Sequence, residues 1–177
     1  MSKLYSYTYM SLDGVIESPE KWTPPYFSEE LGQDLSIRLE SAAAMVLGRV
    51  TYTEFSRFWP TQADDVPFAT LNNTIRKYVV SRTIQHPEWQ NTTVISDVDV
   101  RDLKSGNGGD LHIAGSGTLV RNWLQQGVVD EVRIMLCPIV LGHGKRLFEN
   151  GSQTALTLAE VRQFPLGVVS LNYLAQP

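Results

Sequence analysis

Apolar and polar residues recur along this chain in short bursts, and their period switches repeatedly between two and about 3.6. Residues 3–10, rich in tyrosine, read as a strand. Residues 28–40 read as a helix: Leu31, Leu35 and Leu39 fall on one face, Ser28 caps the start, and Glu29 and Glu30 suit the positive end. Residues 44–47 form a short buried strand, and a helix over 50–58 stops before Pro60. Strands follow at 77–81 and 92–95, then a helical stretch at 99–105 ended by glycines. A buried strand at 111–114 runs into a helix at 117–126, closed by Gly127. Residues 131–137, 155–163 and 168–174 complete the strands, and residues 61–75 read as either a lid or a linker helix. This alternation predicts a single α/β domain over residues 1–177, parallel at the start and antiparallel at the end.

Composition narrows the possible partners. The chain has 177 residues, 42% of them hydrophobic, enough for one sizeable core. Fifteen basic and nineteen acidic residues leave a net charge of −4, which gives no reason to expect nucleic acid or an anionic membrane as partner. Cys137 is the single cysteine, which excludes an internal disulfide and a multi-cysteine zinc site. The first residues lack the apolar stretch of a secretory signal, so a reducing, cytoplasmic location is expected. No two histidines are spaced as a metal pair on a helix, and no metal is expected. His112, in an apolar strand, reads as a satisfied core histidine, and His143, in a glycine loop, as a surface residue.

Three predicted strand ends carry groups that suit phosphate. At Gly48, Arg49 and Thr51 a strand turns into a helix, whose first N–H groups and the arginine can bind an anion. Ser81 and Arg82 end another strand with a hydroxyl and a forked cation, the donors a phosphate monoester needs. At Gly115, Ser116, Gly117 and Thr118 small residues open a helix and let a pyrophosphate approach the backbone. Taken singly, each is equally an ordinary polar turn. Ligand crevices in parallel α/β sheets lie beyond the carboxyl ends of the strands, so one ligand can use all three. NADPH has the matching anatomy, a pyrophosphate plus a separate 2′-phosphate. Asp13, between Leu12 and Gly14 just after the first strand, is either a turn aspartate or a polar group at the lip of that crevice.

The segments Ser11-Leu12-Asp13-Gly14, Leu47-Gly48-Arg49-Val50-Thr51-Tyr52, Val80-Ser81-Arg82-Thr83 and Ala114-Gly115-Ser116-Gly117-Thr118-Leu119 occur in an order that resembles the dihydrofolate-reductase-like superfamily. The likeness is greatest to stand-alone relatives of the riboflavin-biosynthesis reductase domain, and it extends through Val129–Val132 and Pro138–Gly142 to Leu147-Phe148. The resemblance implies a twisted, mostly parallel central sheet flanked by helices, with an antiparallel C-terminal hairpin. It implies hydride transfer from NADPH to a small planar heterocycle, and a homodimer. By carry-over, Gly48, Arg49 and Thr51 meet the cofactor phosphates, Ser81 and Arg82 hold the 2′-phosphate, and Gly115, Ser116, Gly117 and Thr118 cradle the pyrophosphate. Leu12, Asp13 and Gly14 lie beside the nicotinamide and substrate. Asp13 helps to deliver the proton, itself or through a water, or else orients its surroundings. Phe27 stands where dihydrofolate reductases carry an acidic residue, and Tyr7 stands near the lysine position of the riboflavin-pathway enzyme. Two other readings use the same turns: a nucleotide-binding module without catalysis, and an enzyme for another phosphorylated ligand.

Overall fold

The computed structural model describes residues 2–97, 99–106, 108–149 and 153–176. Its strands are β1 (Leu4–Ser11), β2 (Ala44–Gly48), β3 (Arg76–Val80), β4 (Thr92–Ile95), β5 (Leu111–Ala114), β6 (Glu131–Cys137), β7 (Leu156–Gln163) and β8 (Val169–Ala175). Its helices are α1 (Glu29–Glu40), α2 (Arg49–Phe58), α3 (Ala69–Thr74), α4 (Asp99–Ser105) and α5 (Gly117–Gln125). The eight strands make one sheet in the order β4-β3-β2-β5-β1-β6-β8-β7. Every pairing from β4 to β6 is parallel, and β8 and β7 add an antiparallel hairpin at one edge. This is the dihydrofolate-reductase-like architecture.

Strand alternation divides the core. Leu4, Val46, Ile113, Val132 and Ile134 point to one face, where Val120, Trp123 and Leu124 of α5 and Val100 of α4 cover them. Tyr5, Met45, Leu47 and Val79 point to the other face and meet Tyr52 of α2 and Trp89. Tyr7, Met135 and Cys137 meet Leu31 of α1 on that same side. The cap read from the sequence is present, with Ser28 Oγ accepting the Leu31 N–H at 3.2 Å.

Three features differ from, or add to, the pattern-based reading. Residues 61–75 contain a linker helix, α3, entered through Phe68 at φ 68°, a left-handed conformation that a bulky residue seldom adopts. His112 is a core residue, but neither ring nitrogen has a hydrogen-bond partner among the described residues. It stacks on Tyr5 with ring centroids 5.3 Å apart, and burial pulls its pKa down to about 3, so the ring is neutral. Lys77 is fully buried on β3 and donates to the carbonyls of Asn73, Ile75 and Gln90, with its ammonium 4.2 Å from the centre of the Trp89 ring. No described helix is long and apolar enough to cross a membrane.

Candidate functional site

Parallel pairing brings the carboxyl ends of β1, β2, β3, β5 and β6 to one edge of the sheet. β5 stops early: its last residue, Ala114, pairs with Tyr7. β1 and β6 continue side by side to Ser11 and Cys137, leaving a step above the end of β5. The chain after β1 runs out to β2, β3 and β4 and then returns to place β5 between β1 and β2. The step therefore lies at the point where strand order reverses, where ligands enter open α/β sheets.

The turns after β2 and β5 meet there. Ser116 Oγ accepts the Gly48 N–H at 2.7 Å and donates to Thr51 Oγ1 at 3.0 Å. Gly115 and Ser116 both have left-handed φ, 55° and 52°. A β-carbon on Gly115 would lie 3.0 Å from the Thr51 methyl group, so glycine lets these turns close on each other. Among the described residues no side chain caps α2 or α5. Their first-turn N–H groups thus remain as donors beside one another, with the positive ends of both helices at the same place. Gly48, Thr51, Gly115, Ser116, Gly117 and Thr118 are brought together as the sequence suggested.

Arg49 opens α2 at this edge, and Gly48 pairs with Val80, so Arg49 and Ser81 stand one residue beyond the same rung. Ser81 Oγ accepts the N–H groups of Thr83 and Ile84, both at 3.1 Å, and fixes the turn that carries Arg82. Arg49 and Arg82 are exposed and have no ion-pair partner among the described residues. Their charges are available along the line from β5 to β3.

Local sequence reasoning passed over Arg121. From α5 it donates to Thr118 Oγ1 at 3.3 Å and to the carbonyls of Arg146 and Leu147 at 3.0 and 3.2 Å. Its partners include main-chain atoms some 25 residues away, which no local motif signals. Ile16 covers Gly117, where a β-carbon would come within 2.5 Å of its Cδ1.

Leu12, Asp13 and Gly14 form the far lip of the step. The Asp13 carboxylate accepts hydrogen bonds from Ser11 Oγ at 2.7 Å, Leu141 N at 3.0 Å and Gly142 N at 2.8 Å. The Ser11 hydroxyl first, and then the facing main chain, hold its pKa down at about 2. This environment suits an ionised anchoring group that fixes the loop after β6. Arg146 donates to the Asp13 carbonyl at 2.9 Å and lies against Gly14, whose φ is 85°. Leu12 is 57% exposed and donates its N–H to Ile139. With the exposed Val140 it leaves an apolar ledge at the lip.

On α1 the buried acid is Asp34, held by Arg38 at 2.6 Å and by Arg162 of β7 at 2.8 Å. Both arginines neutralise it. Phe27 sits at the entrance to α1 with its ring against Gly32 and edge-on to Phe68 at 6.5 Å. Glu29 and Glu30 are exposed. A separate groove between α2 and residues 84–90, lined by Tyr52, Arg57, His86 and Trp89, contains none of the phosphate-binding candidates.

Comparison with known proteins agrees with this fold. The protein is 29% identical over 141 residues to the uncharacterized protein YyaP of Bacillus subtilis, covering 76% of this chain and 75% of that one. A pyrimidine reductase-like protein of Corynebacterium diphtheriae superposes with a TM-score of 0.69 at 15% identity, over 99% of this chain and 92% of that one. A diaminohydroxyphosphoribosylaminopyrimidine deaminase/5-amino-6-(5-phosphoribosylamino)uracil reductase of Thermotoga maritima gives 0.68 at 13% identity, with this chain spanning 57% of its length. The RibD C-terminal domain family matches residues 2–170. With the strand order, the step above β5 and the glycine-serine-glycine turn all in place, the chain belongs to the RibD C-terminal domain family.

Proposed function

We propose that this protein is an NADPH-dependent reductase acting on a small planar heterocycle, pyrimidine-like or pterin-like. One observation carries the reading: two uncapped helix N-termini converge on the Gly48–Ser116–Thr51 junction, with Arg49 and Arg82, neither ion-paired among the described residues, along the same edge. That donor set fits a ligand with a pyrophosphate and a separate phosphate monoester. NADPH, when bound, supplies the hydride.

Each group in this chain has a distinct task. The main chain of Gly115, Ser116 and Gly117, with Thr118, receives the pyrophosphate, and Arg121 steadies the Thr118 hydroxyl. Gly48, Arg49 and Thr51 complete the cradle from the β2 side. Arg82 pairs with the 2′-phosphate, and the Ser81 hydroxyl keeps a proton to donate to it. Leu12 and Gly14 bound the nicotinamide and substrate side, where the apolar ledge excludes water. Asp13 stays ionised and orients the lip. Its Oδ2 accepts one N–H bond and has capacity to hold a water that delivers the proton. Most of the rate comes from holding the reactants in register.

Phe27 at the α1 position and Tyr7 on β1 favour a substrate other than folate or a phosphoribosyl pyrimidine. The reading includes a cytoplasmic setting and neither a nucleic-acid nor a membrane partner, and the net charge of −4 supports the last two.

The test is a tryptophan-fluorescence titration with NADPH and NADH, followed by a panel of heterocycles scored for NADPH oxidation. Preference for NADPH with turnover supports the reading. Tight binding with no acceptor reduces it to a nucleotide-binding module, and no binding of either nucleotide ends it.

A further inference from the structure

Tyr5, Tyr7 and Tyr9 alternate along β1 and point to the face that α1 and α2 cover. Their hydroxyls meet different surroundings. Tyr5 is buried and donates to the Arg38 carbonyl at 2.9 Å. Tyr7 is 6% exposed, and its hydroxyl has no hydrogen-bond partner among the described residues. Tyr9 stands beyond the last residue of β5, which pairs with Tyr7. It therefore has Met135 of β6 beside it and no β5 residue on its other side. There, at the step, Tyr9 is partly exposed and packs against the cluster that holds Trp22 and Leu31.

The protein leaves the Tyr9 hydroxyl unengaged. The Tyr7 ring lies edge-on at 5.9 Å, but the unpartnered Tyr7 hydroxyl makes no bond to it. Burial pushes the Tyr9 pKa up to about 12, so the phenol keeps its proton near neutral pH. Neighbouring groups are committed elsewhere. Ser11 gives its proton to Asp13, and Ser116 gives its proton to Thr51. On α1, Glu29 and Glu30 are exposed, and two arginines hold Asp34.

We propose that Tyr9 is a specificity-determining residue on the substrate side: its hydroxyl donates to the ring, so the substrate is an oxo-heterocycle that turns a carbonyl oxygen toward β1. The proposal rests on the reductase reading and narrows its substrate class. The unpartnered Tyr7 hydroxyl fixes the direction of the bond. When Tyr9 donates to a carbonyl, its own oxygen is free to accept the Tyr7 proton, and both hydroxyls are satisfied. An amino group in the same place would donate to Tyr9 and reverse the chain, leaving the Tyr7 proton buried without an acceptor. In the favoured direction the two bonds polarise each other and draw electrons toward the carbonyl oxygen. The conjugated carbon of the ring becomes more electrophilic.

Ligand-observed NMR titrations of the full chain test this with no nucleotide present. The probes are 2-pyridone, which presents a ring carbonyl, and 2-aminopyridine, which presents an amino group in its place, at a pH where both are neutral. Wild type should bind 2-pyridone roughly tenfold more tightly than 2-aminopyridine. Tyr9→Phe should weaken 2-pyridone roughly tenfold and leave 2-aminopyridine unchanged. Its melting curve should match wild type, because the hydroxyl makes no bond within the protein. Tyr7→Phe should weaken 2-pyridone by a smaller factor without loss of stability, since it removes a buried hydroxyl that lacks a partner. In the NADPH-oxidation assay Tyr9→Phe should raise KM for a carbonyl-bearing acceptor and leave NADPH affinity unchanged. A wild type that binds neither probe or prefers 2-aminopyridine would overturn the assignment. So would a Tyr9→Phe chain that binds 2-pyridone as wild type does. The probe titrations are independent of NADPH binding, so a chain that binds and oxidises NADPH but ignores Tyr9→Phe keeps the reductase reading and loses this one.

Discussion

The hydroxyl of Ser116 accepts the Gly48 N–H at 2.7 Å across 68 residues of sequence, and with its bond to Thr51 Oγ1 this contact joins the turns that end β2 and β5. Both turns open helices with uncapped N-termini, so the bond sets how far apart two clusters of free N–H donors stand.

Ser116→Ala should therefore affect fold and ligand together. It removes the acceptor for a partly buried N–H and should lower unfolding free energy by about 1 kcal/mol. By loosening the cradle it should weaken NADPH by roughly tenfold, the equivalent of about 1.4 kcal/mol. Chemical denaturation and a fluorescence titration of the same variant check both. An unchanged NADPH affinity would remove Ser116 from the cradle.

Arg82→Ala should discriminate between nucleotides. A charge-assisted contact to the 2′-phosphate is worth about 1.5–3 kcal/mol, so NADPH affinity should fall by roughly ten- to a hundredfold while NADH affinity changes little. Equal losses for both would reject the 2′-phosphate assignment. Arg49→Ala should instead weaken both nucleotides, because its position beside the cradle does not single out the 2′-phosphate.

Asp13 sets an acid limit on the lip. Its pKa in the folded protein is about 2, below the ordinary carboxylate value of 3.8. A depressed carboxylate contributes stability that is fully present above its unfolded pKa and is lost as pH falls through the folded one. The stability difference between wild type and Asp13→Asn should be constant above roughly pH 5 and should shrink toward zero near pH 2. Thermal melts of the two proteins across that range check the sign. A difference that grows as the pH falls would contradict the anchoring role.

Lys77→Met should be among the more damaging single changes away from the candidate site. It removes the donor from three main-chain carbonyls and the cation from beneath Trp89, leaving acceptors unsatisfied in the interior. A loss of at least ~2 kcal/mol is expected from urea melts, with cofactor affinity retained in the folded fraction.

Much of the fold could be read from neighbouring residues alone. The β4, α4, β5 and β6 boundaries agree with the pattern, and those of the other predicted elements move by a single residue, because period, caps and glycine stops are properties of adjacent positions. Residues 61–75 were ambiguous for the same reason: α3 is six residues long and lacks both a side-chain cap and an amphipathic repeat. His112 reads as a core residue and is one, but neither ring nitrogen has a partner among the described residues, and the Tyr5 and Tyr7 rings it packs against come from another strand.

The sequence by itself determined the element types, the α/β class and which residues are candidates to grip phosphate. These depend on side-chain chemistry and on spacings of a few residues. Only the tertiary structure decided which grips share an edge, that β5 stops short of β1 and β6, and that Ser116 rather than a solvent molecule holds Gly48. It also decided that Asp13 is tied to Leu141 and Gly142, that Asp34 is neutralised from both α1 and β7, and that β7 stands uncovered at the sheet's edge. Each of these depends on strand order and register. Both are settled by pairing between segments tens to more than a hundred residues apart, where no local pattern reaches.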